Sequence, residues 1–146
     1  MKTRLPAITA AFAASCLALG APVFAAPSAE THLPGAHTVG KVTYISGGVG
    51  QNEADAIEHV ARNYPLELEF VRKAKPRDEY LADVKVHIKD AQNRMVLDVP
   101  STGPFLLARL PAGKYTVSAE HDGKLENRQV QVSPGNHRRI VFEWQA

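Results

Sequence analysis

The residues with chemical potential in this chain are its histidines, its loop serines, one glycine cluster and one basic run. A zinc hydrolase needs closely spaced ligands, as in His-Glu-x-x-His. His59, His87, His121 and His137 are scattered singly, with no partner at ligand spacing. That predicts surface or rim histidines and no metal site. His121 stands apart because it continues the inward parity of Tyr115, Val117 and Ala119, although the open end of a sandwich would also suit it. A nucleophilic serine has no Gly-x-Ser-x-Gly elbow to sit on, and Ser101 and Ser133 lie beside prolines, which reads as turn chemistry. Gly47-Gly48-Val49-Gly50 is the position where backbone amides could approach a phosphate. It lacks the third glycine of a dinucleotide fingerprint and has no following Lys-Ser/Thr, and Glu53 and Asp55 would repel an anion. The expectation there is a tight turn that packs a helix against a strand.

Arg72, Lys73, Lys75 and Arg77 form the densest positive patch, suited to an anionic envelope polymer or lipid headgroups. Asp78 and Glu79 follow at once, so a solvated loop is the plainer reading. Tyr44, Tyr80 and Trp144 could offer an aromatic surface to a small ligand or carbohydrate. The candidate binding set is therefore Arg72, Lys73, Lys75, Arg77, Tyr80 and Trp144. No catalytic residue, metal or cofactor is expected.

What must position these residues begins with an export signal. Lys2 and Arg4 precede an uncharged, Ala- and Leu-rich run from Leu5 to Phe24, and Val23-Phe24-Ala25 places small residues at −3 and −1. Cleavage is expected after Ala25, since Pro27 would obstruct a cut one residue later. Cys16 lacks the Leu three residues upstream that a lipid-attachment box wants, so a lipoprotein is the lesser reading. Lys2 and Arg4 leave with the signal, so the 17 basic residues fall to 15, against 15 acidic ones. The mature chain is then formally neutral and cysteine-free. A nucleic-acid partner, disulfides and thiolate metal sites are not expected, nor is a membrane span after cleavage.

Residues 26–40 lack a hydrophobic period and read as a flexible leader. Val42-Thr43-Tyr44-Ile45-Ser46 has strand composition. Asn52 is the expected N-cap of a short helix whose apolar face is Ala54, Ile57, Val60, Ala61 and Tyr64. Pro65 ends it, and Leu66, Leu68 and Phe70 alternate with Glu67, Glu69 and Val71 as a half-buried strand would. Residues 41–71 thus form a β-α-β element, and 72–79 a charged connector. From Tyr80 onward, short alternating strands are separated by turn chemistry, including Asp90-Ala91-Gln92-Asn93, Pro111-Ala112-Gly113 and the hairpin signal Asp122-Gly123. This is the rhythm of a β-sandwich over 80–146.

The segments Ala82-Asp83-Val84-Lys85-Val86, Thr102-Gly103-Pro104-Phe105 and Leu110-Pro111-Ala112-Gly113-Lys114-Tyr115-Thr116-Val117 resemble the carboxypeptidase regulatory-like domain. Gly123, Val130-Gln131-Val132 and Val141-Phe142 complete the series, over roughly the last 65 residues. The resemblance implies a mainly β fold, a transthyretin-like seven-stranded-type β-sandwich, here preceded by a small β-α-β element with one short helix. It implies an accessory module and no activity of its own. The hydroxyisourate hydrolases, which share the transthyretin architecture, end in Tyr-Arg-Gly-Ser, whereas this chain ends Phe142-Glu143-Trp144-Gln145-Ala146. The function expected is a periplasmic or secreted, non-catalytic interaction or structural module of the cell envelope. Its partner would be another envelope protein or polymer, and the oligomeric state is left open. The alternative is a small-ligand or carbohydrate-binding periplasmic protein.

Overall fold

Alternating apolar and polar strands, one unbroken apolar run at residues 105–108, and glycine, proline and Asx turns build this chain into two sheets, with one helix between β2 and β3. The computed structural model describes residues 32–146. The expected export signal, Cys16 and the start of the leader lie outside the described residues. The strands are β1 (His37–Val39), β2 (Val42–Gly47), β3 (Leu66–Lys73), β4 (Glu79–Tyr80), β5 (Lys85–Asp90) and β6 (Met95–Pro100). They continue with β7 (Phe105–Arg109), β8 (Gly113–His121), β9 (Lys124–Val132) and β10 (Arg138–Gln145), and the helix α1 spans Gln51–Ala61. One sheet runs β1-β2-β7-β3-β10, with β4 paired to β3, and the other runs β6-β5-β8-β9. The fold is mainly β, an open sandwich with one short helix, as the sequence rhythm predicts.

The main core lies between the sheets. Leu66, Leu68 and Phe70 of β3, Val86 and Ile88 of β5, Val117 and Ala119 of β8, and Phe142 of β10 are fully buried there. A second, smaller core lies on the outer face of the six-stranded sheet, where Ile57 and Ala61 of α1 meet Ile45, Phe105 and Leu107. The expected apolar helix face is the one that packs. The expected cap is not. The helix is entered at Gly50, with no side-chain cap, and the turn is held instead by Glu53, whose Oε1 accepts the Gly48 amide at 2.7 Å.

The front element and the sandwich are not separate. β2 pairs antiparallel with β7, β7 antiparallel with β3, and β3 parallel with β10. The expected β-α-β unit is present, with β7 inserted between its two parallel strands. The periodicity of 41–71 marks strands but not their neighbours, which is why it reads as an appendage. Order also begins earlier than Lys41, because His37–Val39 pairs with β2. The charged connector folds back as a hairpin, with Val71 opposite Tyr80 and Arg72 opposite Glu79.

The chain changes sheets at residues 101–104, between β6 and β7. Ser101 is fully buried. Its amide donates to Val84 O at 2.8 Å, its carbonyl accepts from Asp83 N at 2.8 Å, and its Oγ accepts from Val84 N at 3.2 Å. Thr102 donates its amide to Ser46 Oγ and its hydroxyl to Ser46 O, both at 2.9 Å. Pro104 O accepts from Phe70 N at 2.9 Å. Gly103 lies directly on Gly47, and a Cβ at Gly103 would stand 2.3 Å from the Gly47 carbonyl oxygen. The obstacle is backbone, so it cannot rotate away. Gly103→Ala is expected to destabilise the fold by about 1–3 kcal/mol, the range for overpacking, lowering Tm by ~4–8 °C per kcal/mol. Gly35→Ala, where a Cβ meets nothing within 4 Å, should leave Tm within about 2 °C. Thermal unfolding of the two variants checks this.

Candidate functional site

The helix covers only part of the outer face of the six-stranded sheet, the part made by β2 and β7. Over β3 and β10 the cover is ionic. Glu67 and Glu69 point to this face and are only 5% and 6% exposed, though alternation predicts them to be solvated. Arg139 of β10 lies across both. It donates to Glu69 Oε2 and sits 3.6 Å from Glu67 Oε1. His137, in the turn before β10, places Nε2 2.8 Å from Glu67 Oε2 and Nδ1 2.8 Å from Tyr64 O. Both ring nitrogens thus face acceptors, and the ring ties the helix exit to β3 and β10. The Glu69 hydrogen bond, then the Glu69 and Glu67 charges, raise the Arg139 pKa above the usual guanidinium value, against partial burial. Tyr80 from β4 stands beside this patch, 5.7 Å ring to ring from Phe105. Its phenol is pushed up first by burial, then by Glu69 and Glu58, with Arg139 opposing. These charges satisfy one another. Glu58, exposed on the helix, adds its negative charge to the field at Arg139 and Tyr80.

The sequence-predicted residues are dispersed. Arg72 donates its Nε to Glu79 Oε2 at 3.0 Å, and that bond raises its pKa. Lys73 bonds Asp78 at 2.7 Å and approaches Glu143 at 3.5 Å. The Asp78 hydrogen bond raises Lys73 and in turn lowers Asp78. Lys75 and Arg77 are exposed at the hairpin tip and make no ion pair among the described residues. Half of the basic run is therefore already neutralised locally. Trp144 offers no surface, being 3% exposed. It packs with Phe70 and Phe142, and its indole N–H donates to Lys124 O at 3.0 Å. Its position in β10 puts it on the inward parity with Phe142, a parity the sequence already carried. Tyr44 is half-buried against the main core and 5.4 Å from the His37 ring. Of the three aromatics, only Tyr80 is exposed, so they do not form one platform. His121 lies against the Trp144 ring at 5.9 Å, at the β8–β9 end.

The glycine turn resolves as the sequence predicts. The Gly48 amide that a phosphate would need already donates to Glu53. Among the described residues, no group of three or more His, Cys, Asp or Glu could hold a metal ion. None of their helices is long and apolar enough to cross a membrane.

At the opposite end of the sandwich from Trp144, a cleft of about 660 Å³ opens between the β1–β2, β5–β6 and β7–β8 turns. Its inner wall is Val42, Leu110 and Tyr115, and the Tyr115 hydroxyl donates to Pro111 O at 2.6 Å. Asp90 shapes the other wall. Its Oδ1 accepts the Gln92 and Arg94 amides at 3.0 and 2.9 Å, and its Oδ2 accepts Arg94 Nε at 2.9 Å. The backbone bond from Arg94 is the largest cause holding the Asp90 carboxyl below its ordinary range, with burial opposing and the Arg94 side chain and Gln92 amide adding. No signal in the sequence marked this cleft, because its walls come from three turns far apart in the chain.

No family model and no curated protein matches this sequence. Among solved structures, the chain is similar to GBS52, the minor pilin of the Gram-positive pathogen Streptococcus agalactiae. That similarity has a TM-score of 0.44 and 16% identity, and covers 55% of this chain and 43% of the pilin. The match therefore spans less than half of the pilin's length.

Two outcomes test the site's electrostatics. Arg139→Ala leaves two buried carboxylates with less compensation. Because the guanidinium is half-exposed, the expected loss is about 1–2 kcal/mol, and adding Glu69→Gln should recover part of it in urea unfolding. Asp90 has a folded pKa below its unfolded one, so its contribution is present above the unfolded value and lost as pH falls through the folded one. The stability difference between the native chain and Asp90→Asn should be full at neutral pH and shrink below about pH 4. A pH series of unfolding curves measures it.

Proposed function

We propose that this chain is an exported, non-catalytic interaction or structural module of the cell envelope, working in the periplasm or outside the cell. The motifs at 82–86, 102–105 and 110–117 support a carboxypeptidase regulatory-like, transthyretin-like sandwich as its family. The partner is another envelope protein or polymer. Lys75 and Arg77, with Tyr80 below them, are its candidate secondary contacts; Arg72 and Lys73 contribute less because their charges are paired.

The observation that carries the reading is the one-sided pairing of β10. Among the described residues this eight-residue strand pairs only with β3. Arg138 N donates to Pro65 O, on the β3 side. By the two-residue period of a strand, the amides and carbonyls of Ile140, Phe142 and Trp144 also face β3. Those of Arg139, Val141, Glu143 and Gln145 face the open edge, where an extended partner could add a strand. Arg139 and Glu143 blunt this edge against indiscriminate pairing. The buried acidic pair on β3 supports the same reading, since its charges are spent on joining β3 to β10. An aromatic carbohydrate platform is not favoured, because Trp144 is in the core.

Val141→Pro tests the proposal. It removes an edge amide without touching the β3 ladder, a position where proline is tolerated. The expected result is an unchanged circular dichroism spectrum and loss of a partner that the native chain captures from envelope extract. Capture of no partner, together with turnover in a hydrolase screen, overturns it.

A further inference from the structure

We infer that the cleft between the β1–β2, β5–β6 and β7–β8 turns binds a single-chain amphipathic anion, with an alkyl chain along its apolar wall and a carboxylate at the mouth. The cleft's volume, about 660 Å³, falls within the roughly 300–1,000 Å³ of small-molecule sites. Its inner wall is apolar, and its outer wall carries Met95 and Val39, 47% and 44% exposed. Two large apolar side chains left open to water on facing turns form a patch that an apolar body would cover.

The mouth supplies the charge. Lys41 and Lys114 line it, are exposed, and have no carboxylate partner among the described residues. Arg94 also lines it but is held by Asp90. That aspartate is the one carboxylate in the lining, and its oxygens are already taken by Arg94 and two backbone amides. A cationic amphiphile would meet two unpaired lysines. A sugar would set hydroxyls against Met95, Val39 and Val42, which offer them no hydrogen bond, and would leave the two lysines without a counter-charge. An anion on an apolar chain satisfies both halves of the site. The walls are fixed before binding, by the Tyr115–Pro111 bond on one side and the Asp90-capped turn on the other, which limits the ordering that a ligand must impose.

The test uses the full mature chain, isotopically labelled, with dodecanoate kept below its micellar concentration and dodecyltrimethylammonium as the matched cation. Amide shifts should saturate with dodecanoate and cluster at 39–42, 91–96 and 110–115, with the cation binding at least tenfold more weakly. The double variant Lys41→Glu, Lys114→Glu and the single variant Met95→Asp should each weaken dodecanoate at least tenfold. All three side chains are exposed, so the variants should keep the native spectrum; if one does not fold, the comparison of the two amphiphiles on the native chain still decides. Equal affinity for both amphiphiles, shifts centred elsewhere, or unaltered binding by the folded variants overturns the inference. So does adsorption to anionic phospholipid vesicles without binding of monomeric dodecanoate, which would make the lysines a membrane-surface contact.

Discussion

The structure depends on the backbone-to-backbone approach of Gly103 to Gly47. A polypeptide that leaves one sheet and enters the other must place its peptide groups somewhere dry, and each must find a partner. Here the crossing segment is bonded on three sides: to Val84 at the start of one sheet, to Ser46 at the end of β2, and to Phe70 in the middle of β3. Only a residue without a side chain lets the crossing lie this close. Once it is fixed, β7 has one place to go, the gap between β2 and β3. That insertion places the strands of the β-α-β element in one sheet with β7 and β10, while β5, β6, β8 and β9 form the other.

The second constraint is how the outer face of that sheet is covered. One helix of eleven residues is too short to shield six strands. The remainder is closed by alternating charge, with Arg139 laid over Glu67 and Glu69 and His137 bracing the end. Burying carboxylates is unfavourable unless cations and donors meet them, and here both come from the strand next door. The ion pairs therefore also specify that β10 lies beside β3 in a parallel register, because a shift by one residue would turn Arg139 to the other face.

Much of this was legible in the residues, and the exceptions have a common physical cause. Local signals match the structure: the apolar face of α1, the inward parity of Tyr115, Val117 and Ala119, and the Asp122-Gly123 hairpin, where both residues adopt positive φ. The Leu-Pro-Ala-Gly-Lys-Tyr segment also behaved as its composition demands, with the tyrosine returning its hydroxyl to the proline carbonyl. What failed was anything set by distant neighbours. Glu67 and Glu69 alternate like solvated residues, and nothing nearby announces the arginine 70 residues away that covers Glu69. Asn52 has the right type for a cap, but Glu53 reached back to the glycine turn first. Trp144 suits a surface site by its type, but its parity with Phe142 places it inside. The cleft was invisible because three separate turns enclose it.

The parallel pairing of β3 with β10 has a further consequence for the order in which the molecule can mature. The partners of Glu67 and Glu69 lie 70 or more residues downstream, and closing so large a loop is entropically slow. Until the final strand docks, β3 lacks one neighbour and the aromatic cluster of Phe70, Phe142 and Trp144 is incomplete. A chain made from its amino terminus would therefore stay loose over β3 and consolidate only when β10 is available to pair. Delayed closure of this kind makes the docking of β10 the step that commits the protein to its native state.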